Sequence, residues 1–164
     1  SVHDQSPSND VVSPKTGKVR KGKRRPKIDV RLVCKLSIPN QAFCIEAKRL
    51  YRSDSVSQYV NDEGIGAFIC GEYAQKEDCG GMLGYIQTED LDYWLSRIAS
   101  KLEEDPKVLC SGDGEKLSRT RIARGPRESF VSLHQRDDGR EITLYHVMLS
   151  FLPEKRSSSR VIEL

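Results

Sequence analysis

Residues 28–34 read IDVRLVC and residues 42–48 read AFCIEAK, with SIPNQ between them at 37–41. Both runs alternate. Ile28, Val30 and Leu32 fall on one side of an extended chain and Asp29, Arg31 and Val33 on the other; Phe43, Ile45 and Ala47 share a side opposite Cys44, Glu46 and Lys48. Period-two patterning with Pro39 and Asn40 at the tip predicts two strands joined as a hairpin, the Phe43 side facing the core. In such a hairpin Asp29 stands opposite Glu46 or within one residue of it, and direct opposition puts the two Cβ atoms about 5 Å apart.

Around this hairpin the chain reads as a single α/β domain. Val56, Tyr59, Val60, Phe68 and Ile69 recur at roughly helical spacing, although Gly64 and Gly66 interrupt the pattern, so residues 55–69 are expected to form one helix with an irregular end. GMLGYI at 81–86 is a short buried strand. Leu91, Trp94, Leu95, Ile98 and Leu102 make the apolar stripe of a helix, with Thr88 as its cap, acidic residues in its first turn and Asp105-Pro106 as its stop. A brief strand is expected at 108–110 and a polar loop at 111–128. FVSLHQR and EITLYHVMLSF then form a hairpin around Asp137-Asp138-Gly139-Arg140. The order ββαβα(β)ββ implies a mixed central sheet flanked by helices.

Composition sets the outer limits. The 164 residues, 37% hydrophobic, suffice for one modest core, and no apolar run approaches the roughly 20 residues of a membrane span. Neither a basic n-region nor an apolar h-region opens the sequence, and the five cysteines are irregularly spaced, so the expectation is a cytoplasmic protein with reduced, buried thiols. A zinc site built from cysteines with His134 or His146 is a minor alternative, since no CxxC or HxxxH pair is present to nucleate it. Residues 1–25 are too polar to offset ordering entropy and are expected to be a disordered arm ahead of a domain over 26–164. That arm carries the charge asymmetry. KTGKVRKGKRRPK at 15–27 holds eight Lys or Arg and no acid, whereas residues 28–164 hold 19 basic and 22 acidic side chains of the chain's totals of 27 and 24. A flexible basic arm on a slightly acidic body suits either a polyanion contact or a solvated linker.

Glu46 and Lys48 share a strand face, and Asp29 meets them from the neighbouring strand. Two carboxylates so close repel unless a cation or a proton lies between them. A hard divalent ion is held by one or two carboxylates plus water and substrate phosphate, and a lysine beside it can orient water and offset charge on a pentavalent phosphate. An acid-x-Lys triplet arises about once by chance in a chain of this length, and Asp105-Pro106-Lys107 is a second one. Only Glu46-Ala47-Lys48 ends an apolar strand and pairs with an upstream strand aspartate.

Pro26-Lys27-Ile28-Asp29, sixteen intervening residues, then Glu46-Ala47-Lys48 resembles the PD-(D/E)XK nuclease superfamily, with Pro26 three positions ahead of Asp29 rather than beside it. The continuation through YVNDEGIGAFICGEYA and GMLGYI is similar to a group of poorly characterised bacterial members. The resemblance spans about 26–152 and implies a restriction-endonuclease-like core. It implies Asp29, Glu46 and the Ala47 carbonyl as ligands of Mg²⁺ or Mn²⁺, with Asp29, Glu46 and Lys48 catalytic. It further implies hydrolysis of phosphodiester bonds, in DNA rather than RNA, in a bacterial restriction or phage-defence setting, with a homodimer as the common assembly. Phosphate contacts are expected from Lys18, Arg20, Lys21, Lys23, Arg24 and Arg25 of the arm and from Arg119, Arg121 and Arg124 of the 111–128 loop. The alternative is a catalytically inactive member of the fold that binds nucleic acid or a protein partner.

Overall fold

The computed structural model describes residues 11–12, 19–20, 27–34, 41–104, 117–122 and 128–153. Within the arm, Val11–Val12 (β1) and Val19–Arg20 (β2) pair antiparallel, Val11 opposite Arg20 and Val12 opposite Val19. This departs from an arm disordered throughout. Three of its few β-branched residues stand at these positions, where stiff side chains favour extended backbone. The rest of the arm lies outside the described residues.

The expected first hairpin is present. Val30–Cys34 (β3) runs antiparallel to Gln41–Leu50 (β4), with Val30 opposite Ile45 and Cys34 opposite Gln41. The region read as one helix is two, Ser55–Val60 (α1) and Ile65–Ile69 (α2). The chain turns sharply between them, and a Cβ on Gly64 would stand 2.0 Å from the carbonyl oxygen of Tyr59. Cys79–Ile86 (β5) is followed by Leu91–Glu104 (α3), which buries Trp94, Ile98 and Leu102. Thr88 does not cap α3. Its hydroxyl donates to the Tyr51 carbonyl (3.1 Å), and Asp90 Oδ1 instead accepts the Tyr93 N–H (2.9 Å). The expected strand at 108–110 lies outside the described residues. The loop that follows contains a three-residue edge strand, Ser118–Thr120 (β6), and Ser129–Gln135 (β7) and Glu141–Ser150 (β8) close the sheet.

The six-stranded mixed sheet has the order β3-β4-β5-β8-β7-β6. Its central trio, β4, β5 and β8, is parallel, which requires the helical crossovers between these strands. An antiparallel hairpin flanks the trio on one side and β7-β6 on the other.

The face assignment of β4 is reversed from the sequence reading. Ala42, Cys44, Glu46 and Leu50 are buried, whereas Phe43, Ile45 and Ala47 are half-buried on the other face. Central parallel strands are apolar on both faces, so alternation along β4 alone does not say which face the helices take. The helices take the even-numbered face. Val56, Tyr59 and Val60 of α1, Phe68 of α2, and Trp94 and Ile98 of α3 join Cys44, Leu50, Met82, Ile86, Leu144 and Met148 in one core. On the opposite face Phe43, Ile45, Leu83, Tyr145 and Val147 line an apolar hollow of about 460 Å³. No described helix is long and apolar enough to cross a membrane.

Candidate acidic site at the first hairpin

Asp29 sits in a bend one residue before β3, and the ladder that pairs Val30 with Ile45 carries it opposite Glu46. Its carboxylate reaches across to β4, where the Ala47 N–H donates to Asp29 Oδ2 at 2.8 Å. Glu46 and Lys48 point together into the helix-covered face, and Lys48 Nζ donates to Glu46 Oε1 at 2.7 Å. The three residues singled out from sequence are thus brought together, on the buried rather than the solvent side of β4.

Glu46 is 5% exposed, and its Oε2 is buried with no hydrogen-bond partner among the described residues. Burial raises its pKa above the usual carboxylate range. The Lys48 hydrogen bond and charge pull it back, the Asp29 charge pushes it up again, and the nearby Tyr73 hydroxyl lowers it slightly. A buried carboxylate with one oxygen unmatched and a second carboxylate nearby is a donor set that a hard divalent cation satisfies, with water and phosphate completing the shell. Among the described residues no three His, Cys, Asp or Glu side chains converge on such a position. The set is therefore two carboxylates.

Sequence reasoning missed Tyr73. Its hydroxyl donates to the Lys27 carbonyl (3.2 Å) and stands near enough to Glu46 and Asp29 that burial and both negative charges raise its pKa. Tyr73 lies in the irregular segment between α2 and β5, where no periodicity marks a residue as facing the hairpin.

The basic candidates are less unified. Arg119 forms an ion pair with Glu128 (3.3 Å) and lies over the Phe130 ring, 5.4 Å from its centroid. Arg121 is exposed and borders the apolar hollow. Arg20 lies in β2, and Lys18, Lys21, Lys23, Arg24, Arg25 and Arg124 lie outside the described residues. Of the thiols, Cys44 and Cys70 are buried and Cys79 is half-buried as expected of reduced core cysteines, but Cys34 is exposed on the edge strand and Cys110 lies outside the described residues.

The two histidines form a separate buried cluster. Arg136 N–H donates to the Arg140 carbonyl (2.7 Å), so the second hairpin turns through Asp137-Asp138-Gly139, with Gly139 at φ 83°. This three-residue loop puts His134 and His146 on one face with Ser132 between them. Ser132 Oγ lies 2.7 Å from both Nε2 atoms, and Tyr59 Oη lies 2.9 Å from His146 Nδ1. Only one proton assignment leaves every hydroxyl with an acceptor. Tyr59 donates to His146 Nδ1, His146 Nε2–H donates to Ser132, and Ser132 donates to His134 Nε2. All four residues are buried, and the cluster is a sealed polar core rather than a reactive centre.

No family model, curated protein or solved structure matches this chain.

Proposed function

We propose that this chain is a metal-dependent phosphodiesterase acting on nucleic acid, DNA in preference to RNA, on a restriction-endonuclease-like core. The observation that carries the reading is the pairing of Asp29 with Glu46, whose Oε2 is buried and unmatched, beside Lys48. A bound Mg²⁺ or Mn²⁺ would act as a Lewis acid on the scissile phosphate and acidify an attacking water. Asp29 and Glu46, with the Ala47 carbonyl, would hold the ion. Lys48 would offset the charge that develops on the same phosphate, since a compact ammonium is suited to that task. The partial burial of Lys48 strengthens this interaction by excluding water.

The Lys48–Glu46 contact of 2.7 Å also favours a second reading, in which the pair neutralises itself and the domain only binds. Plasmid cleavage in Mg²⁺ or Mn²⁺ separates the two. The nuclease reading expects cleavage by the native chain, its loss in Glu46→Gln, and its loss in Lys48→Ala with DNA affinity nearly intact. Retention of cleavage in Glu46→Gln, or DNA binding that is indifferent to EDTA in a chain that never cleaves, would overturn it.

A further inference from the structure

We propose that Tyr73 is the positioning residue of the acidic site and that Arg136, at the far hairpin, holds Tyr73 in place. The inference rests on the metal-site reading above. Asp29 lies one residue outside the β3–β4 ladder, which brings it to Glu46 without pairing its own backbone, so its carboxylate needs further contacts to stay there. Two contacts hold it. The Ala47 N–H engages its carboxylate directly, and the Tyr73 hydroxyl holds the Lys27 carbonyl two residues upstream. With Tyr73 in place, the segment entering β3 keeps Asp29 against Glu46. Without it, the entry to a five-residue edge strand whose side chains are all exposed keeps only the packing of Ile28 against the core and the Ala47 contact.

Tyr73 is itself over-determined. Its ring packs edge-on against Phe68 with centroids 5.4 Å apart, and its N–H donates to the Ala67 carbonyl at 3.0 Å. The next residue, Ala74, has φ 50°, a left-handed conformation that a non-glycine residue keeps only where its surroundings impose it. Arg136 imposes it. Its Nη2 donates to the Ala74 carbonyl (2.7 Å) and to the Glu77 carbonyl (2.8 Å), and Arg140 Nη2 donates to the Gln75 carbonyl (2.8 Å). The guanidinium is 3% exposed and leaves Nε and Nη1 unmatched among the described residues, so its burial is given over to bracing this segment. The path runs from the β7–β8 turn through the 74–77 carbonyls to Tyr73, Lys27 and Asp29.

Groups that orient metal ligands change affinity by about 10- to 100-fold when removed. Calorimetric titration of the full chain with Mn²⁺ should therefore show affinity at least about 10-fold weaker in Tyr73→Phe, which keeps the ring and deletes only the hydroxyl. Arg136→Lys should weaken it in the same direction, and the double variant should be no weaker than Tyr73→Phe alone, because the arginine acts through the tyrosine. Ile98→Val, a core truncation away from this segment, should lower the thermal midpoint and leave Mn²⁺ affinity unchanged. Native Mn²⁺ affinity in Tyr73→Phe overturns the positioning role alone. A native chain that does not bind Mn²⁺ overturns the metal site and this inference with it.

Discussion

A buried ionisable side chain records in its pKa what surrounds it, and two such residues here pull in opposite directions. His146 is fully buried, and burial followed by the neighbouring His134 lowers its pKa to about 3. In the unfolded chain it titrates near its ordinary value of about 6.5. Between those values the unfolded state binds the proton and the folded state does not, so stability is full above about pH 6.5 and falls as the pH falls. One proton sets a slope of about 1.4 kcal/mol per pH unit. Glu46 has the opposite sign, because its raised pKa favours the folded state as the carboxylate protonates, so it cannot cause a loss on acidification. His146→Gln, which can still accept from Tyr59 and donate to Ser132, should therefore lose less stability than the native chain between pH 7 and pH 5. Urea midpoints at the two values measure this, and parallel losses would show that His146 is not the responsible group.

At the level of elements, the boundary between α1 and α2 shows what a linear pattern conveys and what it omits. Val56, Tyr59, Phe68 and Ile69 do face the core as their spacing predicted, yet the helix breaks because the chain folds back on the Tyr59 carbonyl at Gly64. Any side chain there meets backbone rather than a movable side-chain tip. Gly64→Ala should cost about 3 kcal/mol, the upper range for forced overpacking, and a thermal midpoint equal to the native one would refute the close approach. The same distinction explains the rest of the reading. The hairpins, the α3 stripe and the approach of Asp29 to Glu46 were legible because each depends on local period and turn chemistry. The buried face of β4 was not, because both faces carry apolar residues such as Cys44 and Ile45 and only the crossover helices choose between them. Nor was Tyr73 legible, since its contacts with Lys27 and Glu46 arise from a non-periodic segment returning to the first hairpin.

Across the whole molecule the charge is divided between a body over 28–164 with 22 acids against 19 bases and a tract over 15–27 with eight bases and no acid. Under the proposed nuclease reading, a site with two carboxylates repels a polyanion, so favourable long-range attraction has to come from elsewhere in the chain. The tract adjoins Asp29 in sequence, and β1 and β2 pair with each other rather than with the six-stranded sheet. Removing the arm therefore takes no strand from the sheet. Deleting residues 1–24 removes six of the eight positive charges and leaves Arg25 and Lys27. If those six contact phosphates, each one steepens the dependence of log affinity on log salt by about 0.9, so the truncated chain should bind DNA more weakly at low salt with a slope shallower by up to about 5. Fluorescence anisotropy across a potassium chloride series measures both quantities. Cleavage at saturating DNA should persist, because Asp29, Glu46, Lys48 and Tyr73 all lie beyond the deletion. An unchanged slope would make the tract a linker and leave the body, through the exposed Arg121 and its neighbours, to hold the phosphates.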